Sequence, residues 1–162
     1  MTAAANPSLL PPVVKSIVVA RAQADAFRLY TQDLAKWWPT QTHSLGGEKV
    51  ATVLMEAREG GRIFERWNDG TERLWGTVLA WEAPHRIVHT WHVSTDPDHA
   101  SEVELRFAAL GASRTRVTLE HRHWERMAGT AAQATREGYN QGWEGVFVER
   151  FGAHAGRIPD GA

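Results

Sequence analysis

The stretch from Gly60 to Val93, GGRIFERWNDGTERLWGTVLAWEAPHRIVHTWHV, constrains this chain more than any other part of it. β-Branched and aromatic residues alternate there with polar ones, and turn-forming residues interrupt them at Asn68-Asp69-Gly70 and Ala83-Pro84. Alternation at a period of two sends successive side chains to opposite faces, so the stretch predicts at least three consecutive strands, each with one apolar face. Asn-Asp-Gly suits a hairpin because glycine accepts positive φ and Asn or Asp tolerates it. The same stretch carries four of the eight tryptophans. Strand pairing does not require that much indole. A curved sheet lined with large flat side chains is instead suited to enclosing a small apolar molecule.

The flanking sequence completes the pattern. Val13 to Ala20 (VVKSIVVA) reads as a first strand, and Gln23 to Thr31 as a helix burying Ala26, Phe27 and Tyr30. A second short helix is expected from Asp33 to Trp38, ended by Pro39. Further strands are expected at Val50–Ala57, Gly61–Trp67, Glu72–Glu82 and Arg86–Val93, then a polar loop from Ser94 to His99. Ser101–Ala108 and Arg114–His123 form a last hairpin around Gly111. From Thr130 to about Ala155 the periodicity turns helical, with Ala132, Thr135, Tyr139, Trp143, Val146, Phe147 and Phe151 on one stripe. Gly138, Gly142 and Gly145 interrupt this helix at about 1 kcal/mol each against alanine. Close approach to the sheet, or room for a ligand, would account for them. Met1 to Pro12, with three prolines, reads as a disordered leader and the closing GRIPDGA as a tail. The domain expected between them is α+β: a curved antiparallel sheet of about six to seven strands around a long C-terminal helix, with two short helices after the first strand.

Composition excludes several classes of function. At 162 residues the chain is of single-domain size, and 18 basic residues against 19 acidic ones leave a net charge of −1. That balance favours neither nucleic acid nor an anionic membrane surface. Absence of cysteine removes disulfides, thiolate nucleophiles and thiolate metal ligands. No apolar run approaches the ~18 residues of a membrane span, and MTAAANPSLLPP lacks a signal-peptide pattern. A cytoplasmic protein is expected. Gly46-Gly47 and Gly60-Gly61 are turn signals, not phosphate or dinucleotide loops, so no cofactor is implied.

Alternation also sorts candidate site residues. Val103, Leu105 and Phe107 share a face, as do Val117 and Leu119, which carry Thr115, His121 and His123 with them. Ile87, Trp91 and Val93 bring His89 inward, and Ile63 and Trp67 bring Glu65. A buried polar group left unpaired costs about 1–3 kcal/mol, so a Glu65–His121 or Glu65–His89 pair is expected. Such a pair would orient a ligand's carbonyl or hydroxyl, act as a general base, or simply be a structural bond at the sheet rim. His121 and His123 share a face but lack a third metal ligand, so no metal is implied. Trp37, Trp38, Trp75, Trp91, Tyr139, Trp143 and Phe147 are the candidates for lining a cavity, with Trp37-Trp38 as a lid over its mouth.

A family resemblance rests on an ordered series of motifs: Val18-Val19-Ala20, Ala26-Phe27, Trp37-Trp38-Pro39, Gly60-Gly61-Arg62, Glu65, Asp69-Gly70, Trp75-Gly76-Thr77-Val78, Ala83-Pro84-His85-Arg86 and Thr90-Trp91. It continues through Ser101 to Phe107, Thr115 to His121 and Gly142-Trp143. Across Val13 to about Ala153 the chain resembles the Bet v 1-like, START-related (SRPBCC) superfamily of helix-grip fold. Within it, the chain is most similar to the bacterial group related to the C-terminal domain of the activator of Hsp90 ATPase. The resemblance implies a hydrophobic cavity between sheet and C-terminal helix. The expected function is therefore a non-enzymatic container for a hydrophobic or aromatic small molecule. Alternatives within the superfamily are a cyclase- or dehydratase-like enzyme using Glu65, His89 and His121, and a stress-related co-chaperone or regulator partner. A symmetric homodimer is the default assembly for a domain of this size.

Overall fold

The computed structural model describes residues 10–93, 95–127 and 132–159. The chain opens with β1 (Val13–Val19), α1 (Gln23–Thr31) and α2 (Leu34–Trp37). Five strands follow in unbroken series: β2 (Val50–Met55), β3 (Arg62–Trp67), β4 (Glu72–Glu82), β5 (Arg86–Trp91) and β6 (Ser101–Gly111). After β7 (Arg114–Arg122) come α3 (Ala132–Trp143), a π-helical stretch (Glu144–Phe151), α4 (Gly152–Ala155) and a short β8 (Arg157–Ile158). Single 3₁₀ turns sit at Gly47–Lys49, Pro97–His99 and Trp124–Arg126.

The strands pair antiparallel in the order β2-β3-β4-β5-β6-β7-β1-β8. Hairpins make every neighbour up to β7 sequential, and β1 closes onto β7 with Val13 opposite His121 and Val19 opposite Thr115. This is the helix-grip arrangement. The expected alternation holds through β5, β6 and β7, where Ile87, Val103, Leu105, Phe107, Val117 and Leu119 are all buried. The opposite face of β6 is closed by charge. Glu104 is only 2% exposed and accepts bonds from Arg86, Arg106 and Arg122. Burial alone would raise its pKa, but those three guanidinium groups outweigh it and hold the carboxylate down to about 2.

The C-terminal rod of 24 residues packs into the concave face, and part of it departs from the expected 3.6 periodicity. From Glu144 to Phe151 the turns widen, and the Gly152 N–H bonds back to the Phe147 carbonyl, five residues earlier. Widening brings Val148 inward beside Val146, Phe147 and Phe151, so four of eight residues in the stretch are buried. These rings continue an aromatic network with α1 and α2, through an edge-to-face Tyr30–Phe151 pair and a tilted Trp37–Phe151 pair at 5.1 Å each.

Both expected termini of the domain need correction. Arg157–Ile158 is not tail: it pairs with Val18–Val19 of β1 and extends the sheet. Of the expected leader, residues 1–9 lie outside the described residues. Leu10 packs against the core, and the Pro11 and Pro12 carbonyls accept from Arg136 at 2.6 and 3.2 Å. His123 does not share the face of His121. β7 ends at Arg122, His123 turns into the left-handed region (φ 67°), and its ring lies beside Glu102 and Glu125. Nor do Gly138, Gly142 and Gly145 permit close approach to the sheet, since a Cβ at any of them would meet nothing within 4 Å. Val93 lies just past the end of β5.

Candidate functional site

Four indoles crowd the space between sheet and rod. Trp38 lies 5.0 Å from Trp75, 5.7 Å from Trp91 and 5.8 Å from Trp143, and Trp91 and Trp143 are 5.6 Å apart, centroid to centroid. They fill most of the interior but leave a pocket of about 160 Å³. Its walls are Trp38, Trp91, Trp143, Tyr139, Val146 and Val93, with Gly142 on the rod side. Its rim is polar: Thr42, His43 and Ser44, from the loop after α2.

Each indole wall is held by a specific bond, so the pocket is pre-shaped. Trp38 Nε1 donates to the His43 carbonyl at 2.7 Å, tying wall to rim. Trp91 Nε1 donates to the Tyr139 hydroxyl at 3.1 Å, linking β5 to α3. Trp143 Nε1 donates to His121 Nδ1 at 3.0 Å. The tautomer of His121 follows from its other neighbour. Ser101 Oγ donates its single hydrogen to the Trp91 carbonyl at 3.1 Å, so its 2.7 Å contact with His121 Nε2 has the imidazole donating. A neutral ring satisfies both bonds, whereas a second proton would face the Trp143 N–H. Burial, with a smaller contribution from nearby His89, accordingly pushes His121 well below the usual histidine range. His89, two strands away in the same cross-sheet row through Val103, is fully enclosed and pushed down to about 4 by burial.

Glu65 plays a different part from the one expected. It is completely buried, yet it pairs with neither histidine. Its carboxylate accepts four N–H groups: Leu45 N at 2.7 Å, Gly46 N at 2.8 Å, Trp67 Nε1 at 2.7 Å and Trp75 Nε1 at 2.6 Å. Register explains the separation, because β3 lies two strands from β5 and four from β7. Glycine at 46 makes the loop bond feasible, since a Cβ there would fall 2.4 Å from the Trp67 ring nitrogen. Glu65 therefore clamps the rim loop and two indoles to the sheet.

Residues 22–156 match the family model described as Activator of Hsp90 ATPase homolog 1-like protein. The chain belongs to that family. This AHSA1-like domain falls in the SRPBCC/Bet v 1-like superfamily, with bacterial homologues. Among solved structures, it is similar to the anthrahydroquino-γ-pyrone synthase Txn09, at 36% identity over 90% of this chain and 97% of that one, with a TM-score of 0.62. It is also similar to CalC, a self-sacrificing resistance protein from Micromonospora echinospora, at 29% identity, 93% and 96% coverage and a TM-score of 0.68. An HSP90 activator from Plasmodium falciparum shares the fold at 16% identity, 92% and 99% coverage and a TM-score of 0.56. No curated protein matches the chain.

Within this AHSA1-like domain, four of the seven aromatic residues expected at a cavity line the pocket: Trp38, Trp91, Tyr139 and Trp143. Trp37, Trp75 and Phe147 lie behind it as core. Trp37 donates to the Leu29 carbonyl at 3.0 Å, Trp75 bonds Glu65, and Phe147 stacks on Phe151 at 5.7 Å. Of the Trp37-Trp38 pair, only Trp38 reaches the mouth. Glu65, His89 and His121 do not line it: Glu65 ties down the rim loop, His121 anchors Trp143, and His89 bonds the Thr90 carbonyl. Alternation along strands could not reveal Thr42, His43 and Ser44, which occupy an irregular loop. The one available sequence signal was the polar run TQTHS between Trp37-Trp38-Pro39 and Gly46-Gly47. Among the described residues no three His, Asp or Glu side chains converge as metal ligands, and no helix is long and apolar enough to cross a membrane.

Proposed function

We propose that this AHSA1-like domain binds an aromatic small molecule, one ring of which enters the pocket between Trp38, Trp91 and Trp143. The observation that carries this reading is the pocket itself. Its volume of about 160 Å³ is close to that of an engineered apolar cavity, about 150 Å³, known to hold benzene. Walls of indole and phenol favour offset and edge-to-face contacts with another ring. Burying one such ring removes roughly 150 Å² from water, about 4 kcal/mol before the cost of association. Even with no association cost that is only about millimolar affinity, so one ring by itself binds more weakly still. Tighter binding requires a ligand whose further rings or substituents extend across the polar mouth. Txn09, an anthrahydroquino-γ-pyrone synthase by name, supports a fused aromatic skeleton as the ligand class.

Titration of intrinsic tryptophan fluorescence with naphthol and hydroxyanthraquinones tests the reading. Saturable quenching is expected, because three indoles contact the guest. A folded protein whose emission answers to none of these arenes would refute it.

Chemistry on the bound ring is the second reading, favoured by the 36% identity to a synthase over nearly the whole chain. The proton-carrying groups on the pocket would then be Thr42, His43, Ser44 and Tyr139, not the enclosed Glu65, His89 and His121. Turnover of a hydroxyanthraquinone precursor should drop in His43→Ala or Tyr139→Phe. Turnover unchanged in both variants would remove these groups from the chemistry.

A further inference from the structure

A second depression is lined by Trp38, Pro39, Thr40, Gln41, Thr42 and Arg150. It shares Trp38 and Thr42 with the apolar pocket, so the two adjoin at that indole and a single rim loop borders both. Their chemistry is opposite. The first is walled mainly by rings, while the second adds to Trp38 and Pro39 the hydroxyl, amide and guanidinium groups of Thr40, Gln41, Thr42 and Arg150, the last its one charged side chain.

Arg150 is held in place without being neutralised. Its Nε donates to the Trp37 carbonyl at 3.3 Å, which ties the guanidinium to the end of α2. Among the described residues no carboxylate pairs with it, whereas Arg62, Arg66, Arg86, Arg106 and Arg122 each meet a glutamate; Arg21, Arg73, Arg114, Arg116 and Arg157 are likewise without one, but only Arg150 lines a depression that adjoins the ring pocket. Asp33, at the start of α2, is engaged by Lys36 and His154. The outer N–H groups of a guanidinium form a planar fork that matches a carboxylate in a bidentate contact. Pre-positioning reduces the entropy lost when that contact forms.

We infer that the two depressions form one composite site for an aromatic carboxylate, with the ring beside Trp38, Trp91 and Trp143 and the anionic oxygens reaching past Trp38 to Arg150. This rests on the ring-binding reading above and adds to it the charge and polarity of the ligand. An unpaired fixed cation next to a ring-sized hole selects against neutral arenes of the same shape, because only the anion gains the charge-assisted pair.

The test compares naphthoate with its neutral isostere naphthamide, by fluorescence titration of the full chain, in wild type, Arg150→Gln and Arg150→Lys. Arg150 is exposed, so neither substitution removes core packing. Wild type should prefer naphthoate about tenfold at low salt, and the preference should shrink as ionic strength rises. Arg150→Gln should bind both probes equally, at the affinity wild type has for the amide. Arg150→Lys should retain part of the preference, having charge without the fork. Equal binding of the two probes by wild type, or a tenfold preference that persists in Arg150→Gln, overturns the composite site and leaves ring binding intact. Failure of wild type to bind either probe overturns both.

Discussion

Gly142→Leu should close the pocket and stabilise the protein in a single step. Gly142 lies in α3 one residue before Trp143 and lines the pocket, and a Cβ placed on it meets no atom within 4 Å. A leucine side chain can therefore grow into the empty space. Truncating one leucine in another protein core opened a cavity of about 150 Å³, so adding one to about 160 Å³ fills most of the pocket. Two gains add in the free protein. Replacing glycine with a strong helix former contributes about 1 kcal/mol. Partial burial of the new apolar group contributes about 1 kcal/mol more. At this chain length, ~2 kcal/mol corresponds to a Tm rise of roughly 4–8 °C. Ring binding should fall at least tenfold, because the guest would have to displace the leucine. Gly138→Ala is the control: Gly138 also faces open space but does not line the pocket, so it should gain about 1 kcal/mol and bind as wild type. Calorimetry and fluorescence titration on the three proteins decide the matter. A fall in Tm for Gly142→Leu would mean the space is not there. A rise in Tm with undiminished binding would mean the ligand sits elsewhere.

Other perturbations probe the frame. Glu65→Gln should cost about 3 kcal/mol by urea denaturation, since an amide cannot accept from all four N–H groups and turns its own donor towards them; a loss below 1 kcal/mol would contradict the clamp. Gly76→Ala should prevent stable folding, because its Cβ would fall 1.8 Å from the Thr90 carbonyl oxygen of the neighbouring strand; a folded variant seen by circular dichroism would refute that contact. Stability should decline as pH falls below about 6.5, where the unfolded chain binds protons that His89, held down to about 4, refuses in the fold. That loss reaches about 3 kcal/mol near pH 4, with His121 acting in the same direction, and His89→Leu should flatten the slope between those limits. A slope identical in the variant would assign the acid sensitivity to other groups.

Strand alternation made much of this legible from residues alone. Val103, Leu105, Phe107, Val117, Leu119, Ile87, His89 and His121 are buried as their two-residue spacing implied. The hairpin at Asn68-Asp69-Gly70 forms with Gly70 at φ 89°. Pairing between distant strands was not legible, because alternation gives the face of a residue and not its partner. Glu65, His89 and His121 share an apolar surface, yet strand order separates Glu65 from both histidines, and two indoles with two loop amides become its partners instead. The end of β7 was overrun for a related reason: His123 continues the alternation but adopts φ 67°, which no periodicity signals.

The sequence by itself therefore determined the layers, the hairpin series, the inward faces and an excess of indole beyond the needs of pairing, all of which follow from local spacing. Tertiary structure alone decided which indoles became core and which became wall. Trp75 and Trp37 are consumed by bonds to Glu65 and the Leu29 carbonyl, while Trp38, Trp91 and Trp143 stop just short of closing the gap. The widened turns after Trp143, the open side of Gly142 and the unpaired guanidinium of Arg150 arise where rod, sheet and rim loop meet. Space and charge balance at such a junction depend on residues remote in sequence, so no local pattern can specify them.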